Sequence, residues 1–309
     1  MSTQIKLECA GGQPLSLRHI VHSHGLAGVT PWERTDADGL RVAVPTSQGA
    51  CQILIEPKGT KVVGGKASVA VVAGGGLPQA ELGQIARRLL GLERDLTGFH
   101  AGAAADPDLA WIVDAGAGAM ARGATVFEDV IRTILTTNCA WSSTVQMCGR
   151  LTELCGTEVP GATGIKVFPT PEAVSELSEE TLKAEVRVGY RAANLIETSR
   201  RVAEGLIDLE ELSAVPRSDL PDAEVERRLR SLPGVGPYAA AHTMLLIGRP
   251  SLPILDSWTR PKYARLTGRS RITDAQILKR VAKHSPDSGL ALWLILTKDW
   301  FDGSGTVDE

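Results

Sequence analysis

The residues whose types and spacing could carry chemistry lie in the C-terminal third of the chain. Residues 231–241 have the sequence Ser-Leu-Pro-Gly-Val-Gly-Pro-Tyr-Ala-Ala-Ala, and a single aspartate, Asp256, follows eighteen residues after the tyrosine. Gly234 and Gly236 indicate a turn too tight for side chains, and Pro237 suits the first position of a following helix. Such a turn can direct backbone N–H groups outward at a helix N-terminus, which forms a site for an anion. The stretch therefore predicts an anion site near one carboxylate.

The distribution of charge supports a polyanionic partner. The whole chain carries a net charge of −3, but residues 217–283 hold thirteen Lys or Arg against six Asp or Glu, a net charge of +7. A segregated basic face matters more for phosphate binding than the sum over the chain. The alternative is a charged face that contacts only solvent.

The composition is that of an ordinary soluble globular protein, with 43% hydrophobic and 22% charged residues in 309. The sequence contains no run of about 18 apolar residues, so we expect no transmembrane helix. The N-terminus also lacks the apolar core of a signal peptide. Five cysteines, all at or before Cys155, have no disulfide-framework spacing. We therefore expect a protein of a reducing compartment, with no secretion signal and no membrane partner.

The elements that position these residues predict an α+β protein. Short alternating or β-branched segments separated by turn residues indicate four strands: Gln4–Cys9, Gly39–Pro45, Ala50–Glu56 and Lys66–Ala73. An amphipathic helix follows at Pro78–Leu90. We expect a small antiparallel sheet with this helix against it.

After Thr125 the sequence predicts helices only, about nine or ten of them. Thr125-Val-Phe-Glu128 has the form of a capping box, with the threonine capping and the glutamate hydrogen-bonding back. The predicted organisation is a β-rich domain at 1–97, a Gly/Ala-rich linker at 98–124 and a mainly helical domain at 125–309.

The stretch from Leu232 to Ala240, followed by Leu255-Asp256, resembles the helix-hairpin-helix DNA glycosylases of the HhH-GPD superfamily. In that superfamily a glycine- and proline-rich loop and a catalytic aspartate follow the hairpin. Phe127–Leu151 resembles the first helix pair of the helical core. The resemblance covers roughly 125–300, and it implies that Leu232, Gly234, Val235 and Gly236 bind the DNA backbone.

Two branches of the superfamily share features with this chain. Phe168–Leu206, with its Gly189-Tyr-Arg-Ala, is similar to the 8-oxoguanine glycosylases. The β-first layout and the final Leu292–Trp300 are similar to the glycosylases of alkylated bases.

The resemblance gives Asp256 a catalytic role. A carboxylate can stabilise the positive charge of an oxocarbenium-like transition state and can orient or deprotonate a water molecule. Its position also suits an N-cap of a helix at Ser257–Leu266, which would keep the carboxylate ionised. The alternative is a cap with no other function.

Tyr238 occupies the place where strand-cleaving glycosylases have a lysine that forms a Schiff base. A tyrosine cannot form one, so the resemblance implies a monofunctional enzyme that uses water. Tyr238 would instead lie in or beside the base pocket. Lys262 and Lys298 are alternative amines, but nothing in the sequence places them at the sugar.

Other matched residues would serve base flipping, in which the extruded base leaves a gap in the stack. The resemblance implies that Asn138 fills the gap and that Tyr190 and Arg191 wedge the duplex or contact the opposite base. The second arginine of the 8-oxoguanine branch corresponds to Ser143 here. Trp141 and Trp258 are candidates for stacking on a base, and packing in the core is the alternative for both.

No metal or cofactor is expected. The iron–sulfur loop of the endonuclease-type relatives needs four cysteines, and none follows Cys155. Cys139, Cys148 and Cys155 have the spacing of small core residues on helices and not of zinc ligands. His242 is expected to be a core or surface histidine.

The sequence thus predicts a monofunctional, monomeric DNA glycosylase, located in the cytoplasm (bacterial nucleoid) or the nucleus, that binds double-stranded DNA containing a damaged base. Alkylated purines rank slightly ahead of oxidised purines as the substrate. The alternatives are a non-catalytic DNA-structure-binding protein, a bifunctional glycosylase/lyase that uses another amine, and an unrelated small-molecule enzyme, for which no nucleotide or metal motif is present.

Overall fold

The protein is described by a computed structural model over residues 1–302. The last seven residues of the predicted helical domain, 303–309, lie outside the described residues. The described chain begins with a sheet and continues as helices, which confirms the predicted α+β class. No helix within residues 1–302 is long and apolar enough to cross a lipid bilayer.

The N-terminal part contains one antiparallel sheet with the strand order β1-β5-β4-β3-β2. Its strands are β1 (Ser2–Lys6), β2 (Trp32–Arg34), β3 (Leu40–Thr46), β4 (Gly49–Lys58) and β5 (Lys66–Gly74). Because successive side chains alternate between the faces of a strand, Leu40 and Val42 lie opposite Ile55 and Ile53 on the buried face. Four strands overlap the predicted ones, although β1 begins two residues and ends three residues before the predicted Gln4–Cys9. The fifth, β2, has three residues, too few for an alternating pattern to be recognised.

The helices account for about half of the remaining described chain. They are α1 (Leu17–Val21), α2 (Gln79–Leu89), α3 (Thr97–Ala104), α4 (Trp111–Ala115), α5 (Val126–Leu135), α6 (Trp141–Cys155), α7 (Pro171–Ser175), α8 (Glu179–Thr181), α9 (Ala192–Ala203), α10 (Glu211–Ala214), α11 (Asp222–Arg230), α12 (Pro237–Leu246), α13 (Thr259–Leu266), α14 (Asp274–Val281), α15 (Ser288–Thr297) and α16 (Asp299–Asp302). The predicted helix at Pro78–Leu90 is α2, and it packs against β1 and β5.

Residues 98–124 differ from the expected linker. They contain most of α3 and all of α4, and Leu109 and Ile112 are fully buried. Alanine is the strongest helix former, so its abundance favours helix over a flexible segment. Gly116 ends α4 in a left-handed conformation with φ of 63°, where its missing side chain allows close approach to the backbone of Ser16. The positions of the domain boundaries remain a prediction.

Two large hydrophobic clusters form most of the core, and Tyr238 is one of the residues at which they meet. The first joins the sheet, α2 and the C-terminal helix α15, all ten residues of which are buried. The second joins α5, α6, α9, α11 and α12. Tyr238 packs against both clusters. The start of α12 therefore lies at the junction between the β-rich part and the helical part.

A buried ion pair on α5 connects the helical part to the loop before β2. Thr125 Oγ1 accepts a hydrogen bond from Glu128 N at 3.1 Å, as the predicted cap requires. The Glu128 carboxylate, however, turns inward, where it accepts from Trp32 Nε1 at 2.8 Å and pairs with Arg132 at 3.0 Å. Arg132 also donates to the carbonyls of Leu26 and Val29. Glu128 Oε2 still accepts from Ala124 N at 3.0 Å, so the reciprocal hydrogen bond of the capping box reaches the residue before Thr125 and not Thr125 itself.

Candidate active site

The hairpin between α11 and α12, residues 231–236, contains two glycines that differ from each other in backbone conformation and surroundings. Gly234 has φ of 83°, a left-handed conformation, and a Cβ there would lie 3.1 Å from Cβ of Asn194. Gly236 has φ of −86°, and no atom lies within 4 Å of the place where its Cβ would be. The fold therefore requires glycine at 234 but not at 236. The expectation that the turn is too tight for a side chain holds only for Gly234.

The backbone amides of the hairpin include two that make no hydrogen bond to the described part of the chain. Val235 N donates to Leu232 O at 3.2 Å, and both of these side chains are buried in the core. The N–H groups of Gly234 and Gly236 have no acceptor among residues 1–302. Because these amides precede the N-terminus of α12, they can bind an anion. Leu232 and Val235 serve the hairpin through packing, and DNA contact by them remains a prediction.

Asp256 lies in the turn before α13 and is half-buried. Its Oδ1 accepts hydrogen bonds from the backbone amides of Trp258 at 3.0 Å and Thr259 at 2.7 Å. Asp256 thus makes the hydrogen bonds expected of a cap, but it makes them in the preceding turn, because α13 begins at Thr259 and its N-cap position is Trp258. Oδ2 has no hydrogen-bond donor among the described residues. One oxygen orients the carboxylate, and the other is available to a ligand.

Asp256 and the hairpin line a cavity of about 1030 Å³ at the junction of the two clusters. Nine of the eleven site residues predicted from the sequence line it, all except Leu232 and Val235. Its aromatic and imidazole lining is contributed by His24, Trp141, Tyr190, Tyr238, His242, Trp258, Trp293 and Trp300. A cavity of this size with apolar walls and few polar groups suits a planar heteroaromatic ligand.

The Tyr238 hydroxyl links the end of α5 to α12. This hydroxyl lies 3.2 Å from Thr136 Oγ1 and 3.1 Å from His242 Nδ1. Burial, with a contribution from the negative charge of Asp256, raises the pKa of Tyr238 to about 12. Burial lowers the pKa of His242 to about 4. Both side chains are therefore neutral at pH 7.

The two candidate tryptophans both line the cavity and both pack against the core. Trp141 is half-buried, and a Cβ at Gly25 would lie 2.7 Å from its ring, so the indole lies directly on that glycine. Trp258 forms an aromatic cluster with Trp293 and Trp300, with ring centroids 5.9 and 6.0 Å away. The packing and cavity-lining interpretations are therefore compatible for each residue.

The predicted wedge residues lie together at the edge of the cavity, and Arg191 is the buried one of the three. Asn138 is exposed with φ of 49°, and its Nδ2 donates to the hydroxyl of Tyr190 at 3.2 Å. Tyr190 is 61% exposed. Arg191 is buried, and its guanidinium donates to Thr137 O, Thr137 Oγ1 and Val188 O. In this structure Arg191 holds the loop that carries Asn138 and does not extend to the surface.

The described residues contain no group of three or more His, Cys, Asp and Glu side chains that could hold a metal ion. The five cysteines are free. Burial raises the pKa values of the Cys148 and Cys155 thiols to about 11, as for small core residues.

Several cavity residues have no signal in the sequence. His24 and Gly25 come from the loop between α1 and β2, and Trp293 and Trp300 come from α15 and α16. His242 is buried, which agrees with the core position that the sequence allowed, and it also lines the cavity. The spacing of four between Tyr238 and His242 places both on one face of α12 and could have indicated this neighbour.

Solved structures with this fold include glycosylases. The 3-methyladenine DNA glycosylase from Archaeoglobus fulgidus matches with a TM-score of 0.73 and 18% identity, covering 97% of this chain and 99% of that chain. The Clostridium acetobutylicum 8-oxoguanine glycosylase/lyase in complex with double-stranded DNA matches with a TM-score of 0.67 and 20% identity, covering 91% and 93%. At these identities the likeness establishes the fold.

Sequence relationships are more specific. A putative DNA-3-methyladenine glycosylase from Bacillus subtilis is 31% identical over 96 residues, which is 30% of this chain and 31% of that protein. The matched segment thus spans about a third of that relative. The family model for HhH-GPD superfamily base excision DNA repair proteins matches residues 131–286, just over half of the chain, and the chain therefore belongs to that family.

Proposed function

We propose that the protein is a monofunctional DNA glycosylase that acts as a monomer on duplex DNA, extrudes a damaged purine and hydrolyses its N-glycosidic bond. The observation that carries this proposal is the position of Asp256. Its carboxylate lies at the wall of an aromatic cavity and beside a hairpin with two available backbone amides. These are the three parts that base excision needs: a base pocket, a catalytic charge and a binding site for the DNA backbone.

The hairpin supplies the binding site for the DNA backbone. The Gly234 and Gly236 amides would bind one phosphate, which fixes the register of the strand without selecting a sequence. The net charge of +7 carried by residues 217–283 would add electrostatic attraction for the duplex. The nucleotide next to the bound phosphate would then enter the cavity.

Asp256 supplies the chemistry. As the bond between sugar and base breaks, positive charge develops on the sugar, and a fixed carboxylate stabilises that charge. The cap geometry holds Oδ1 in place, so that Oδ2 can face the sugar or a water molecule without reorganisation. The same oxygen can accept a proton from the attacking water.

The absence of an available amine supports hydrolysis without strand cleavage. No lysine lines the cavity within residues 1–302. Lys262 is almost completely buried and pairs with Asp299 at 2.5 Å, and Lys298 is exposed away from the cavity. Tyr238, at the place of the family's lysine, cannot form an imine.

The aromatic walls support an alkylated purine as the substrate. Alkylation leaves a purine electron-poor or positively charged, and the faces of Trp and Tyr rings attract positive charge. The similarity to the Bacillus subtilis protein supports the same choice. Oxidised purines are the second candidate, because Asn138 and Tyr190 lie side by side as the 8-oxoguanine branch would require.

The test is base release from duplexes that each carry one alkylated, oxidised or deaminated base, with sodium borohydride added in parallel. We expect release from the alkylated-purine duplex, no strand break before heating in alkali, and no covalent adduct. A trapped adduct would establish a lyase. Duplex binding without release from any substrate would instead support a non-catalytic DNA-structure-binding protein.

A pair of glycine variants tests the role of the hairpin. Gly236→Ala should leave the unfolding free energy within about 0.5 kcal/mol of wild type, since its conformation and surroundings accept a methyl group. It should weaken duplex binding, because the methyl group enters the space that a phosphate would occupy.

Gly234→Ala should lower the free energy of unfolding by about 1–2 kcal/mol, because φ is positive and Asn194 is close. Fluorescence anisotropy and urea unfolding measure the two effects, and unchanged duplex binding by Gly236→Ala would refute the hairpin contact.

A further inference from the structure

Two buried histidines from distant parts of the chain meet behind Tyr238. The Nε2 atoms of His24 and His242, which are 218 residues apart, are in hydrogen-bond contact. The ring of His24 stacks on Trp293 with centroids 5.1 Å apart and an interplanar angle of 15°. Both histidines are nearly completely buried, at 2% and 5% exposure, and both line the cavity.

A backbone amide determines which nitrogens carry the protons. Leu26 N donates to His24 Nδ1 at 3.1 Å, so Nδ1 of His24 is an acceptor and its proton lies on Nε2. His24 Nε2–H therefore donates to Nε2 of His242. This leaves the proton of His242 on Nδ1, which lies 3.1 Å from the Tyr238 hydroxyl and donates to it.

The series of hydrogen bonds, in which each group donates to the next, continues from Tyr238 to a backbone carbonyl. The Tyr238 hydroxyl accepts from His242 and so directs its own proton to Thr136 Oγ1, 3.2 Å away. Thr136 in turn donates to Thr133 O at 2.7 Å. Every donor in the series has one acceptor, and the series runs in one direction from an amide to a carbonyl.

This arrangement of protons requires the imidazoles of His24 and His242 both to be neutral. Burial lowers the pKa of His24 well below its usual value, and the neighbouring His242, Arg132 and Arg34 lower it further. Burial lowers the pKa of His242 from 6.5 to about 4, opposed by the negative charge of Asp256. A second proton on either ring would place two N–H groups against each other.

We propose that His24 and His242 are positioning residues that orient the Tyr238 hydroxyl, so that Tyr238 presents an oxygen lone pair, and no proton, to the base pocket. The hydroxyl donates its proton to Thr136 Oγ1, and one of its lone pairs accepts a hydrogen bond from His242 Nδ1. The remaining lone pair would accept a hydrogen bond from an N–H or amino group of the bound base and would repel a carbonyl oxygen at the same place. The role in base selection rests on the proposed function, whereas the proton order does not.

The proton order is tested by ¹⁵N NMR of the imidazoles in the full-length protein, with His24→Gln and His242→Gln used to assign the signals. We expect a proton on Nε2 of His24 and on Nδ1 of His242, with no titration of either ring between pH 6 and 8. The opposite tautomer of either ring, or protonation within that range, would overturn the proposal. This measurement does not depend on enzymatic activity.

The effect on the pocket is tested by a double-mutant cycle with Tyr238→Phe, His242→Phe and the double variant. The readout is single-turnover base release from a duplex methylated with dimethyl sulfate. Each single change should slow release about tenfold, as expected for one hydrogen bond, and the double variant should be no slower than Tyr238→Phe. His242→Asn, which keeps an N–H near the position of Nδ1, should retain more activity than His242→Phe.

The outcomes separate the two proposals. Independent, multiplying effects in the double variant, or wild-type rates in His242→Phe, would show that His242 does not act through Tyr238. Thermal unfolding checks that each variant folds. Failure of the wild-type protein to release any base would contradict the proposed function, and the NMR measurement would still decide the proton order.

Discussion

Asp256→Asn should slow base release by about 10²–10³-fold while leaving duplex binding unchanged. Asparagine keeps an oxygen that can accept from the amides of Trp258 and Thr259, so the turn before α13 should persist. It removes the negative charge that would oppose the charge developing on the sugar. It also places an NH₂ group where the carboxylate would accept a proton from water. Single-turnover release and fluorescence anisotropy measure the two properties separately.

Asp208→Asn is the matched control for this change. Asp208 Oδ1 accepts from the amides of Glu210 at 2.9 Å and Glu211 at 3.2 Å, which is the same local geometry outside the cavity. The control should have wild-type binding and release. If Asp256→Asn releases base within about tenfold of the wild-type rate, Asp256 acts only as a cap.

Arg132→Met should lower the free energy of unfolding by about 3–5 kcal/mol. Arg132 is 2% exposed, and its loss would leave the buried Glu128 carboxylate without its cationic partner. The carbonyls of Leu26 and Val29 would lose a donor as well. Because Leu26 also donates to His24, the change should loosen the cavity wall formed by His24 and Gly25. Urea unfolding measures the loss of stability.

Two further variants show whether the buried charge causes the loss. The double variant Glu128→Gln/Arg132→Met should recover a large part of the stability, since it removes both charges. Arg200→Met removes an exposed arginine with partners in Glu197 and Glu204, and it should cost less than about 1 kcal/mol. An equal loss in the single and double variants would show that packing, and not the uncompensated carboxylate, determines the effect.

The sequence by itself predicted the features that depend on neighbouring residues. The turn at Gly234, the cap by Asp256 and the cap by Thr125 each involve hydrogen bonds or dihedral angles within a few positions. Four of the five strands followed from short alternating or β-branched segments, and α2 followed from apolar residues at helical spacing. The segment 98–124 was the exception, because its glycines indicated a linker while its alanines favoured helices.

Only the tertiary structure brought the cavity together. The sequence contains Asp256, Tyr238 and Trp141, but not the fact that His24 and Gly25 complete their pocket from the other end of the chain. Nor does spacing show that Arg191 is buried beneath the Asn138 loop. The proton order from Leu26 to Thr133 arises from contacts between α12 and a loop more than two hundred residues away. Local patterns determine caps and turns through short-range hydrogen bonds, whereas the chemistry of a pocket depends on which distant side chains the packing of the core places in contact.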